Sequence, residues 1–499
     1  MRIEGVQQIP AARLLWYVGV LLLLLLLARQ SLSVDPQARA AAERLEKVHA
    51  ALRATKVAYL FGPGGFSGAE ARDIPDREAI AQWKALVASR WAHVQDWRRL
   101  GITQMVFGQR NAGLETLRAI AGLPSGMRSG ASWSGEPHSE AADQISASQE
   151  VQFWERVYAE GKLTPSEVSS LLATLNRMEL RWFARLVRQQ IYTKAGMQEE
   201  ARQEQRAALA SAQAVLFWNL VQILLLLGGI VGVSLWSVRA LQRRAQDQAG
   251  VRALPVPAAP FSYRARMSAF LAYFALPLIA LPLGVVVREG NMNGPTLTRL
   301  SVALYLMLTA LSVLVSLQVL RAVVQKEEQK RLAFYEALRA LGLRTAHFWQ
   351  DVATGVTRYA MLLPLLLLTA WLSSIVFARF KTPPHPVLYQ FLAAPSLADQ
   401  VLLLFQTAVV AAVVEELMFR GVLFPALWAR WGVWRGAAIA SAVFALAHPT
   451  LPAGFLSLWT LGMGFTFVFL RSGSLVPGIV MHGLNNGLLL CIHFAVFAE

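Results

Sequence analysis

The chain has too little charge for a soluble protein of its length and almost no cysteine to build with. Only 16% of its 499 residues are Asp, Glu, Lys or Arg, whereas soluble proteins carry about 25%. The deficit is concentrated in long stretches that are nearly free of charge, the pattern of membrane spans. The single cysteine, Cys491, lies in an apolar run and excludes an intrachain disulfide or a thiolate metal centre. No HExxH zinc motif and no GxGD occurs, there is no convincing internal repeat, and the one low-complexity tract is the leucine run at 21–27.

What is there is basic and unevenly placed. Residues 30–213 hold 23 Lys and Arg against 20 Asp and Glu, and the rest of the chain holds 24 against 11. Most of the formal charge of +16 therefore sits in short segments flanking apolar runs. Nucleic-acid binding calls for a basic stripe on a folded domain; membrane orientation explains this placement more simply. The Ala-, Leu- and Arg-rich composition suggests a bacterial source.

The first apolar run, Leu14–Ala28, is followed by Arg29-Gln30-Ser31 and no A-x-A-like site, so residues 1–29 read as an uncleaved signal anchor. Eight further runs lie at about 214–238, 267–287, 300–320, 359–378, 400–424, 436–449, 454–470 and 474–497. The expected fold class is all-α: a polytopic membrane protein of about nine spans. Basic loops follow alternate spans, which puts them in the cytoplasm of an inner (cell) membrane and residues 30–213 outside it. The segment 321–358 reads as amphipathic and cytoplasmic, lying along the membrane surface, within a membrane region of 214–394. Trp16 and Trp236 fit interfacial anchors.

The 30–213 region reads as mostly helical. Ile80, Trp83, Leu86, Val87, Trp91, Val94 and Trp97 recur at helical spacing. Thr164-Pro165-Ser166-Glu167 is a capping box that opens a long polar helix leading to the next span. Gly62–Gly65 and 125–135 read as loops. Gly65-Phe66-Ser67-Gly68 matches a rhomboid GxSG but lies in the polar region. His49, His93 and His138 are dispersed, and His493 reads as a helix-end histidine. The tryptophans read as core.

Ionisable residues inside spans are costly and by default functional. Residues 395–499 hold an unusual set: Glu415, Glu416 and Arg420 in one run, His448 ending the next, and His482 with Asn486 in the last. Glu416 and Arg420 have the favourable i,i+4 order for an ion pair, and Glu415 points about 100° away. A carboxylate beside a histidine can hold and deprotonate a water. A second histidine and an amide can donate to an oxyanion.

Glu415-Glu416-x-x-x-Arg420, Phe444-x-x-x-His448 and His482-x-x-x-Asn486 resemble, in order, the three motifs of the CPBP family. These are CAAX-prenyl-protease-2-like, bacteriocin-processing and abortive-infection membrane proteins, also called intramembrane glutamic endopeptidases. The resemblance covers about residues 395–495. It implies that Glu415 activates water with His448, that His482 and Asn486 stabilise the oxyanion, and that Glu416 and Arg420 form a supporting pair. Asn485 is an ambiguity beside Asn486. It implies no cofactor and no metal. The expected partners are a membrane-associated peptide or protein substrate and the lipid bilayer, with an extracytoplasmic ligand for 30–213 and no nucleic acid.

Two other readings stay open. Glu415, His448 and His482 form a possible ligand set for a zinc-dependent membrane hydrolase. The span–domain–span arrangement of residues 1–238 also suits a non-catalytic membrane sensor or immunity protein.

Overall fold

The computed structural model describes residues 36–61, 73–89, 92–124, 145–158, 161–246, 261–279, 294–329, 331–344, 346–377, 379–380, 387, 390 and 396–497. Among the described residues the regular elements are all helical. The chain divides into two units, one holding Ile223–Leu488 and the other Pro36–Gln222 with Leu489–Glu499. The expected N-terminal anchor, Trp16, Trp91, His138, the GxSG stretch and both expected loops lie outside the described residues.

The polar unit contains α1 (Pro36–Phe61), α2 (Asp73–Val87), α3 (Val94–Val106), α4 (Arg110–Ala119), α5 (Ala147–Tyr158), α6 (Pro165–Arg177), α7 (Trp182–Ala195) and the first half of α8 (Gln198–Gln246). Its core is aromatic: Trp83, Trp154, Trp182 and Phe183 are buried, and Trp83 Nε1 donates to Thr55 Oγ1 at 2.8 Å. The apolar face expected from Ile80 to Trp97 is divided between α2 and α3. The break comes at His93, whose side chain accepts from Gln95 N while Asp96 accepts from His93 N, a cap that starts a new helix. The long polar helix expected from Pro165 does begin at the Thr164 capping box. It is three helices rather than one, interrupted near Arg181 (φ 52°) and at Gly196 (φ 77°).

The membrane unit contains the rest of α8, then α9 (Tyr263–Ile279), α10 (Gly294–Glu328), α11 (Phe334–Ala340), α12 (Phe348–Val376), α13 (Leu397–Trp431), α14 (Val433–Leu446), α15 (Phe455–Ser472) and, as far as Leu488, α16 (Val476–Phe497). Six helices are long and apolar enough to cross a bilayer: Gln198–Arg239, Arg299–Glu327, Phe348–Val376, Leu397–Trp431, Phe455–Ser472 and Val476–Phe497. Leu224, Val231 and Leu235 on α8 and Leu368, Trp371 and Ile375 on α12 are exposed, as lipid-facing side chains are. The protein is a multi-pass helical membrane protein.

Three of the nine expected runs are not among these six. The first lies outside the described residues. The run at 267–287 is described as helix only to Ile279, and that at 436–449 is the short helix α14. The segment 321–358 is also divided. Its start extends α10, its end begins α12, and the turn after α11 is tied inward by a hydrogen bond from Leu475 N to Gly342 O (2.8 Å).

α13 is not a uniform helix. Two π-helical segments, Gln406–Val410 and Leu417–Leu423, flank the α-helical stretch Ala411–Glu416. π segments are rare and concentrate at functional sites. Here they bracket the two adjacent glutamates.

Candidate active site

The two glutamates have different surroundings. Glu416 is buried and its Oε1 accepts from Arg420 Nη1 at 2.7 Å. Arg420 is also buried, donates from Nη2 to Gly462 O at 3.1 Å, and lies against the rings of Phe444 and Phe465, 4.5 and 4.8 Å from their centroids. A charge removed from water needs such full satisfaction. Glycine makes the close approach possible: a Cβ on Gly462 would lie 3.1 Å from Arg420 Nη2, and one on Gly478 would lie 3.1 Å from Glu416 Oε2.

Glu415 turns the other way, and its side chain is 24% exposed against 1% for Glu416. Its Oε2 lies 3.7 Å from His448 Nε2 and 3.8 Å from His482 Nε2. Those distances are too long for direct hydrogen bonds and too short for a water in line between the groups; a water seated beside the three atoms is within hydrogen-bond reach of them. Among the described residues nothing donates a hydrogen bond to this buried oxygen.

Each histidine is oriented through its other nitrogen. His448 Nδ1 is 2.7 Å from Phe444 O; a carbonyl only accepts, so Nδ1 carries the proton. A neutral His448 then presents an Nε2 lone pair towards Glu415. His482 Nδ1 lies 3.3 Å from Glu416 Oε1, and its ring stacks on Phe465 at 5.2 Å. Glu416 thus serves both Arg420 and His482.

Asn486 lies one turn beyond His482 on α16, and its Nδ2 donates to Thr407 O, within the first π segment, at 3.1 Å. One amide hydrogen is therefore committed to that carbonyl. Asn485 donates to Asn486 Oδ1 at 3.4 Å, so it orients the amide of Asn486. The structure brings Glu415, Glu416, Arg420, His448 and His482 into one cluster, with Asn486 anchored at its edge. Among the described residues no group of three His, Cys, Asp or Glu side chains is arranged to hold a metal ion.

Several neighbours were not singled out from the sequence. Phe465 looked like one apolar span residue among many. Gly462 and Gly478 were legible only as small residues of the kind that let membrane helices approach. Tyr273 on α9 and Tyr305 on α10 lie within electrostatic reach of Glu415. Arg266 belongs by sequence to the basic stretch after the run at 214–238, yet it is buried and bonded to Gly421 O.

The architecture and this cluster define a class: polytopic membrane proteins with a carboxylate–histidine site among their helices. Residues 396–488 match the family described as type II CAAX prenyl endopeptidase Rce1-like. An uncharacterized 24.3 kDa protein of Escherichia coli is 29% identical over 104 residues, which are 20% of this chain and 48% of that protein. The chain thus spans about half the length of this curated relative. No solved structure matches the chain.

Proposed function

We propose that the protein is an intramembrane endopeptidase of glutamic type. The observation that carries this reading is the convergence of Glu415 Oε2 with two imidazole Nε2 atoms at 3.7 and 3.8 Å. A water held there donates one hydrogen to the Glu415 carboxylate and one to the Nε2 lone pair of His448. As its oxygen attacks the scissile carbonyl, the proton passes to Glu415, which later delivers it to the leaving amine. His482, when protonated on both nitrogens, donates Nδ1–H to Glu416 and Nε2–H to the oxyanion. The second amide hydrogen of Asn486 completes the oxyanion site. Glu416 and Arg420 hold His482 and the helix in place.

The substrate class is a membrane-embedded or membrane-presented peptide. Prenylated CAAX peptides are the chemistry in the matched family's description, and they make a rational first probe. In this reading residues 30–213 lie outside the inner membrane, where they can take a ligand and regulate the site. The test is a comparison of membrane proteomes from cells expressing wild-type and Glu415→Gln protein. A cleavage product that disappears in the variant is expected, and identical product profiles would sink the reading.

A further inference from the structure

Pro425 lies just inside the last α-helical stretch of α13. In an α-helix the carbonyl of residue 421 accepts from the N–H four residues later. At 425 there is no N–H, because the residue is proline. The Gly421 carbonyl is thus deprived of its α-helical partner within the segment Leu417–Leu423, which already runs in π register: Phe424 N donates to Phe419 O, five residues back. A buried carbonyl left unpaired costs about 1–3 kcal/mol, and buried backbone groups nearly always find a partner.

The partner comes from another helix. Arg266, on the first turn of α9, donates from Nη1 to Gly421 O at 2.5 Å. It is 2% exposed, and its guanidinium lies over the Phe261 ring at 5.2 Å. The two helices are packed together around this bond, with Phe270 and Phe274 of α9 meeting the Phe419 ring at 5.6 and 6.1 Å. From Gly421 the connection to the site is short. The preceding residue is Arg420, which holds Glu416, and Glu416 holds His482.

We propose that Arg266 is a positioning residue for the Glu415–His448–His482 cluster, supplying the donor that Pro425 withholds from Gly421 and so holding the π segment that carries Arg420. Arg266 lies outside the matched residues 396–488, so the family module is completed by a helix that precedes it. The proposal rests on the peptidase reading for its effect on turnover, but not for its effect on geometry.

The test uses full-length protein, purified and reconstituted, with two readouts. The first is the imidazole ¹⁵N spectrum of histidine-labelled protein, with His482 assigned through His482→Gln. The second is turnover of an internally quenched prenylated CAAX peptide and of an internally quenched transmembrane peptide. Arg266→Met keeps an apolar stem and removes the donor. It should move the His482 signals and lower kcat ~10- to 100-fold, the scale of a displaced catalytic group, with KM unchanged. Arg266→Lys should keep native signals. Pro425→Ala in the Arg266→Met background restores a backbone N–H to Gly421 and should bring the His482 signals back towards native.

Native His482 signals in Arg266→Met overturn the proposal, as do shifted signals that neither Arg266→Lys nor the double variant restores. If Arg266→Met does not fold, recovery of folded protein on adding Pro425→Ala supports the proposal and no recovery overturns it. Glu415→Gln run in parallel separates the two claims. Full turnover in that variant sinks the peptidase reading and leaves the His482 result to decide the role of Arg266.

Discussion

Among the described residues, two clusters of buried charge are built to different plans. In the polar unit, Asp96 accepts from Arg44 Nε and Nη2 and from His93 N. Glu150 accepts from Arg98 Nε and Nη2, with Trp154 Nε1 also donating to it. Both Asp96 oxygens and both Glu150 oxygens are occupied by protein donors. In the membrane unit, Glu416 takes Arg420 on Oε1 while its buried Oε2 has no hydrogen-bond partner among the described residues, and Glu415 faces two imidazoles at 3.7 and 3.8 Å. A carboxylate whose oxygens are all satisfied holds a fold together. The Glu415 oxygen that faces two imidazoles has no such donor. In the peptidase reading, the contrast separates a structural from a reactive use of the same residue types.

The sharpest way to break this comparison is to neutralise Glu415. Glu415→Gln should fold and insert normally yet lose ~10²- to 10⁴-fold in turnover, the range for a general base. Assayed on purified protein normalised for folded material, near-normal activity would end the distinction. Asn486→Ala comes next, with an expected loss of ~10²- to 10³-fold for one oxyanion donor. A smaller loss would mean that its bond to Thr407 is its main role.

The buried ion pairs should respond in stability. Arg420→Ala leaves Glu416 buried and unpaired, and Arg98→Ala does the same to Glu150; breaking a buried pair costs ~3–5 kcal/mol. Thermal unfolding of each variant in detergent checks this. Unchanged melting of Arg98→Ala would show that the polar cluster is not closed in the sense argued above.

Acid provides a gentler probe of the polar unit. His49 stacks against His493 with ring centroids 4.5 Å apart. Burial first, then the neighbouring charges of His493 and Arg53, lower its pKa from the ordinary 6.5 to about 3. The folded unit therefore holds His49 neutral where the unfolded chain binds a proton. Between pH 6.5 and about 3 the unfolded state takes up more protons, so stability falls as pH falls through that window. His49→Phe should flatten part of that slope, and an identical pH dependence would refute the assignment. The smallest expected effect is none: chelators should leave turnover unchanged, whereas activity lost in chelator and restored by zinc would favour the metal-dependent reading.

Much of this was legible before any coordinates. The three motifs announced themselves because charge inside an apolar run is rare, and Glu416–Arg420 spacing gave the ion pair directly. Helical character in the polar unit was equally readable from Thr164 and from the tryptophan periodicity. The break at His93 was not, because it depends on a histidine accepting a capping hydrogen bond, a role with weak sequence preference. The role of Arg266 was not legible for a different reason. Charge counting near span ends treats arginines alike, and only three-dimensional packing shows which one is buried against a carbonyl.

The two π segments of α13 have a consequence for insertions and deletions. Each amounts to an α-helix carrying one surplus residue, and one residue is worth about 100° of rotation. Glu415 and Glu416 sit in the α-helical stretch Ala411–Glu416 between them. Deleting one residue from either π segment, away from Arg420, removes that surplus and returns ordinary α-helix with the flanking stretches in phase, whereas a deletion inside Ala411–Glu416 swings what lies beyond it by about 100°. Helical phase across residues 406–423 is thus a heritable property of this site in its own right, separate from the identity of its side chains.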